Sequence, residues 1–263
     1  MPQLKVKSLS TVKVVNLLKF LRVHRALNFV HVLIGMLVVK GADFGLPDTL
    51  LFLKAWLIFF FLLYCGLYGF NNYFDAEEDK KNGLKNDRVF ARGLIGEKTA
   101  MAAIVLLITA SFLATWLFLR QALWFWFFFL IANVLHTLVL KRINLFLAYF
   151  VTSITHPAKF ALGLFLAGGR ILDFWPILLM IWMGLFSCLT LKVDHEEPDY
   201  KKSGLGRWLR LIGLSVWLAC GILLLSSKTT LSLAAAYYFL HYGAIVAGYY
   251  LFSKDVISFP RIG

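Results

Sequence analysis

Residues 56–81 read WLIFFFLLYCGLYGFNNYFDAEEDKK. From Trp56 to Phe74 no side chain is charged, and from Asp75 to Lys81 only Ala76 is not. Counted back to residue 49, the apolar stretch exceeds the roughly 20 residues that carry a helix across a bilayer. It lacks the apolar–polar alternation that strands of an outer-membrane barrel show. The sudden change at Asp75 marks a span leaving the hydrocarbon.

The same pattern recurs along the chain, and the sequence predicts eight spans at 25–42, 49–71, 98–119, 121–140, 143–168, 173–193, 208–227 and 231–252. The protein is 60% hydrophobic but only 16% charged, with a mean hydropathy of +0.76, whereas soluble domains carry about a quarter charged residues. Backbone groups in lipid must be satisfied internally, so the expected fold is all-α, a polytopic transmembrane helical bundle around a central cavity. Residues 25–252 read as one transmembrane domain between an N-terminal interfacial segment, 1–24, and a C-terminal tail, 253–263. Residues 11–23 mix apolar side chains with Lys and Arg, as a helix lying on the membrane does. The tight connection at 119–121 predicts that spans three and four form an antiparallel helical hairpin.

The net charge is +13, yet the basic residues cluster at span ends, where lipid headgroups account for them, so no nucleic-acid partner is expected. Of the 27 Lys and Arg, 21 fall in the N-terminal tail, the C-terminal tail and the loops after spans two, four and six. That bias puts the N-terminus and those loops on the cytoplasmic side. Cys65, Cys188 and Cys220 lie within apolar spans and read as small core residues. The dispersed Lys and Arg of the first thirty residues do not form a cleavable signal peptide, and no protein partner is evident.

Ten of the fourteen acidic residues fall between Asp75 and Glu97 or between Asp194 and Asp199. Both clusters directly follow a span on the same predicted face. Asn71, Asp75 and Asp79 are spaced by four, so a helix continuing past the membrane surface stacks them on one side, with Glu78 able to join them. Mg²⁺ takes oxygen ligands, keeps several waters, and binds through one or two carboxylates plus substrate phosphates. In the second segment Asp194 and Glu197 share a face, and Pro198 predicts a helix end before Asp199. Around both segments Lys80, Lys81, Arg88, Arg92, Lys201, Lys202 and Arg207 are candidate cations for phosphate oxygens that a metal leaves unneutralised. His31, His136 and His241 read as core or interfacial histidines. Lys159 reads as a snorkelling or structurally paired lysine, and Gly163 and Gly168 as sites of close packing or a turn.

These residues resemble the UbiA superfamily of intramembrane prenyltransferases, whose members typically have nine spans. The family's N-D-x-x-D-x-x-x-D motif is matched by Asn71, Asp75 and Asp79, with Asn72 in place of the first aspartate. Asp194-His195-Glu196-Glu197-Pro198-Asp199 is similar to the second motif, with one extra residue between the outer aspartates. Lys141-Arg142 matches a family pair, Thr137 standing where a tyrosine is usual, and Arg22-Val23-His24 looks like the segment before the first span. The resemblance implies Mg²⁺ held by Asp75, Asp79, Asp194, Glu197 and Asp199. It also implies a prenyl diphosphate bound by Asn71, Arg22, Lys141 and the loop cations, with aromatic residues such as Tyr73 near its tail. Transfer to a lipophilic acceptor of quinone type would follow. Alternatives are a cyclase of the same superfamily and a divalent-cation transporter, which would instead carry carboxylates near mid-membrane. A CDP-alcohol phosphotransferase does not fit, because Ala91-Arg92 lies too far from Asp79.

Overall fold

The computed structural model describes residues 9–81, 88–196, 204–226 and 230–252, and among them it is helical with no strand. Among the described residues, eight segments are long and apolar enough to cross a membrane: Val23–Asp43, Leu46–Phe74, Glu97–Phe118, Arg120–Ile143, Leu145–Leu166, Ile171–Leu191, Gly206–Leu225 and Leu231–Gly248. These agree in number and order with the spans predicted from hydropathy. The second is the longest at 29 residues, because its last turn carries Asn71 and Asn72 beyond the purely apolar stretch. It is built from α3 (Leu46–Ala55), a π-helical stretch (Trp56–Tyr64) and α4 (Cys65–Phe74), and α5 (Ala76–Lys81) follows.

The chain divides into two compact units, one comprising Met1–Asn28 and Lys54–Thr137, the other Phe29–Leu53 and Leu138–Gly263. In the first, α1 (Leu9–Phe20) meets α4, and α4 packs along α6 (Glu97–Phe118). Gly69 makes the junction possible: a Cβ there would lie 3.1 Å from Phe20 and 3.2 Å from Ile104. A 3₁₀ turn at Arg120–Ala122 leads from α6 into α7 (Leu123–Leu135). The expected hairpin is closed by the Trp126 indole, which donates to the Ser111 hydroxyl at 2.8 Å. Beyond α7 the span continues as a second π-helical stretch, His136–Leu140.

In the second unit α2 (Val30–Lys40) crosses α10 (Thr155–Leu166) at two glycines. A Cβ on Gly163 would sit 2.0 Å from the Val32 carbonyl oxygen, and one on Gly35 2.3 Å from that of Phe160. The backbones therefore approach as closely as small residues allow in a membrane interface. α11 (Trp175–Glu196) packs on α9 (Leu145–Ser153), α12 (Gly204–Leu225) and α13 (Thr230–Phe252), burying Ile177, Met180, Ile181, Trp217, Tyr238 and Tyr242. α8 (Lys141–Ile143) is a short turn before α9.

Lys159 does not snorkel. It is 2% exposed, because its position on α10 turns it into the unit instead of along the helix towards a surface. The three cysteines are free and buried, as their apolar settings predict.

Candidate active site

The spacing of Asn71, Asp75 and Asp79 is realised on a continuous helical path. Although α4 ends at Phe74 and α5 begins at Ala76, the Asp75 amide donates to the Asn71 carbonyl at 2.9 Å and the Asp79 amide to that of Asp75 at 2.8 Å. These are i→i−4 bonds, so the three side chains rise one above another. Asp75 and Asp79 are 8% and 4% exposed, whereas Glu77 and Glu78 are exposed. Glu78 thus does not join the buried face. Glu77 is paired to Lys80 at 2.5 Å, which holds its carboxyl below the usual range.

Two buried carboxylates one turn apart need compensating charge. The Arg88 guanidinium donates to Asp79 Oδ2 at 2.6 Å. Arg22 is half-buried, and its guanidinium lies over the Tyr68 ring, 5.7 Å from the centroid, with that of Arg25 at 5.9 Å. Burial and the neighbouring charges of Arg88 and Arg25 pull Arg22 down to about 9, so it is still a cation at neutral pH.

The two asparagines divide their work. Asn71 Oδ1 accepts from the Thr137 hydroxyl on the π-helical end of span four, leaving its amide N–H groups as what it offers a ligand. Asn72 is buried; its amide donates to the Phe20 carbonyl at 2.6 Å, and its oxygen accepts from Arg22 at 2.5 Å. Neither Asn72 nor Thr137 is among the site residues expected from sequence. The only signal was their place at motif positions where other side chains are usual. The Tyr73 hydroxyl donates to Glu97 at 2.7 Å, and its ring leans on Phe90, which in turn meets Phe20. Arg92 is exposed on the turn closed by Gly93, whose φ is +67°.

Asn71, Asp75, Asp79, Arg22, Arg88, Arg92 and Tyr73 all belong to the first compact unit. Lys141 belongs to the second, half-buried on α8, and Asp194 lies in the last turns of α11. Glu197, Asp199, Lys201 and Lys202 lie outside the described residues.

Asp75 and Asp79 are hard oxygen donors of the kind a divalent metal ion takes, and one oxygen of Asp79 is bonded to the Arg88 guanidinium. No three His, Cys, Asp or Glu gather into a metal cage among the described residues. Two carboxylates completed by substrate phosphates are what Mg²⁺ accepts, whereas structural zinc is held by four side chains.

The protein is a polytopic helical one whose second span ends in two buried carboxylates with cations close by. The chain belongs to the UbiA prenyltransferase family, whose model matches residues 28–257, and is a prenyltransferase. Members of the family generally use divalent metal ions. Arg22 precedes the matched region. No curated protein matches the chain. A solved structure described as a digeranylgeranylglyceryl phosphate synthase in membranes is similar, with a TM-score of 0.61 and 16% identity over 93% of this chain and 99% of that one. At that identity the likeness is one of fold.

Proposed function

We propose that the protein catalyses Mg²⁺-dependent transfer of a prenyl group from a prenyl diphosphate to a lipophilic acceptor. The observation that carries this reading is the helical stack of Asn71, Asp75 and Asp79, with both carboxylates buried and Arg22 and Arg88 beside them. Asp75 and Asp79 hold the metal, and Asp194, Glu197 and Asp199 of the second acidic segment are assigned the same chemistry on sequence grounds. Mg²⁺, when bound, neutralises negative charge that develops on the departing diphosphate. Arg22 and Arg88 contact the phosphate oxygens, a geometry suited to planar guanidinium groups. Arg92 adds positive potential and the Asn71 amide a neutral donor, while Lys141, Lys201 and Lys202 are assigned to the diphosphate on sequence grounds alone.

The allylic C–O bond breaks, the carbon bonds to the acceptor, and the acceptor loses a proton. Aromatic side chains near the motif, Tyr64 among them, are assigned to the wall of the tail cavity, where ring faces favour a developing allylic cation. The walls of the spans keep water from capturing that cation. An aromatic acceptor of quinone type is the assignment favoured by how common that use is in the family. The N-terminus and both acidic segments are placed on the cytoplasmic side by the distribution of Lys and Arg.

The test is incubation of the purified protein with labelled prenyl diphosphates of several lengths and a panel of acceptors, including aromatic acids and a glycerol phosphate, with and without Mg²⁺. A prenylated aromatic product formed only with Mg²⁺ is expected. Cyclised product without any acceptor would move the assignment to a terpene cyclase of the same superfamily.

A further inference from the structure

The junction between α1 and α4 contains a backbone conformation that a non-glycine residue rarely adopts. Arg22 has φ of +52°, the one positive φ at a non-glycine position among the described residues. In the left-handed region an L-residue is strained, because its Cβ crowds the backbone, and helix ends that use it favour glycine. Such strain persists only where surrounding contacts impose it, and it clusters at functional sites. The Arg22 amide donates to the Lys19 carbonyl at 3.1 Å and the Arg25 amide to the Arg22 carbonyl at 2.9 Å, and one side chain braces this turn from outside. Asn72 donates to the Phe20 carbonyl at 2.6 Å, filling one of the carbonyls that the end of α1 leaves without a helical partner. With its oxygen it accepts from the Arg22 guanidinium at 2.5 Å. It therefore grips the turn by backbone and side chain together. The result is a guanidinium directed over Tyr68, in a neighbourhood that includes Asp79 and Arg88.

The chemistry of the grip is as informative as its geometry. An amide both donates and accepts, and it carries no charge. A carboxylate of the same shape would bond Arg22 more strongly and neutralise it. It would also set an oxygen against the Phe20 carbonyl oxygen with no proton between them. Resting on the reading of this site as a diphosphate site, we propose that Asn72 is a positioning residue that holds Arg22 at the diphosphate without neutralising its charge. Asn72 acts through Arg22, and Arg22 makes the contact.

The test uses the full chain purified in detergent with Mg²⁺, inorganic pyrophosphate as the probe, and four proteins: wild type, Asn72→Asp, Arg22→Ala and the double variant. Pyrophosphate affinity is measured by competition against a labelled prenyl diphosphate, together with the melting temperature and the KM and kcat for that diphosphate. Asn72→Asp is expected to weaken pyrophosphate binding about tenfold and to raise KM more than it lowers kcat. Arg22→Ala is expected to do at least as much. The double variant should be no worse than Arg22→Ala, because coupled residues are not additive. The proposal is overturned if Asn72→Asp binds pyrophosphate as wild type does, or if the two losses multiply. Should Asn72→Asp fail to fold, Asn72→Ala, which removes both bonds without adding charge, takes its place with the same expectations. A purely structural clamp would lower its melting temperature and leave pyrophosphate affinity unchanged, and that result also overturns the proposal. Wild type that binds no pyrophosphate would instead sink the diphosphate reading itself.

Discussion

Asn71 and Asn72 are adjacent in sequence, and their side chains serve different ends. Asn72 faces back to Phe20 and Arg22, while Asn71 is fixed from the side by Thr137. The Thr137 hydroxyl orients the Asn71 amide so that its N–H groups are the part presented to a ligand. Thr137→Val removes that hydroxyl at nearly constant volume, a change of about 1 kcal/mol for a neutral hydrogen bond. It is expected to lower kcat/KM for prenyl diphosphate about fivefold without changing the melting temperature by more than a degree or two, and Thr137→Ser is expected to restore it. Kinetics on the two variants check this; an unchanged Thr137→Val enzyme would remove Thr137 from the site. At this scale the sequence showed Asp75 and Asp79 clearly, because a spacing of four is a geometric statement about a helix. The roles of Asn72 and Thr137 were hidden, since their partners lie 50 to 66 positions away in sequence, and no local spacing encodes that.

Two spans contain π-helical stretches, Trp56–Tyr64 and His136–Leu140. The first precedes Asn71 on its span, and the second contains the His136–Thr137 corner. A π-helical turn adds a residue and rotates the rest of the helix about its axis, which is why such stretches often accompany functional sites. Hydropathy is blind to them, because it reads how apolar a stretch is and not how it winds. The same limit explains Lys159, for which span depth suggested an escape to the surface. The face of α10 on which it sits decides otherwise. His31 and His241 show a third case: each reads singly as a packing histidine, yet α2, α10 and α13 bring their rings together with that of His156, with centroids of His156 and His241 4.7 Å and 6.4 Å from that of His31. The glycines were legible, and their role is testable. Gly163→Ala would place a Cβ against the Val32 carbonyl, where backbone and not a flexible side chain must yield. A loss of about 1–3 kcal/mol is expected for such overpacking, seen as a lower melting temperature in detergent. An unchanged melt would mean that α2 and α10 do not depend on that contact.

Over the whole molecule, eight spans and an all-helical chain follow from the length and spacing of apolar runs. That level was the most legible because lipid leaves the backbone so few options. The division into two compact units was not visible in hydropathy, since span two contributes to both. The family match over residues 28–257 takes in all but the first residues of the eight spans. The central functional claim is that the Asp75–Asp79 stack binds the metal on which prenyl transfer depends. Its most direct measurement is pyrophosphate release from a labelled prenyl diphosphate by wild type, Asp75→Asn and Asp79→Asn, each with Mg²⁺ and after chelation. Chelation is expected to abolish wild-type turnover and Mg²⁺ to restore it. Each variant, still folded by melting curve, is expected to fall at least about 100-fold, the scale of losing a principal electrostatic group from an active site. Full turnover in both variants, or turnover that persists without divalent metal, would contradict it.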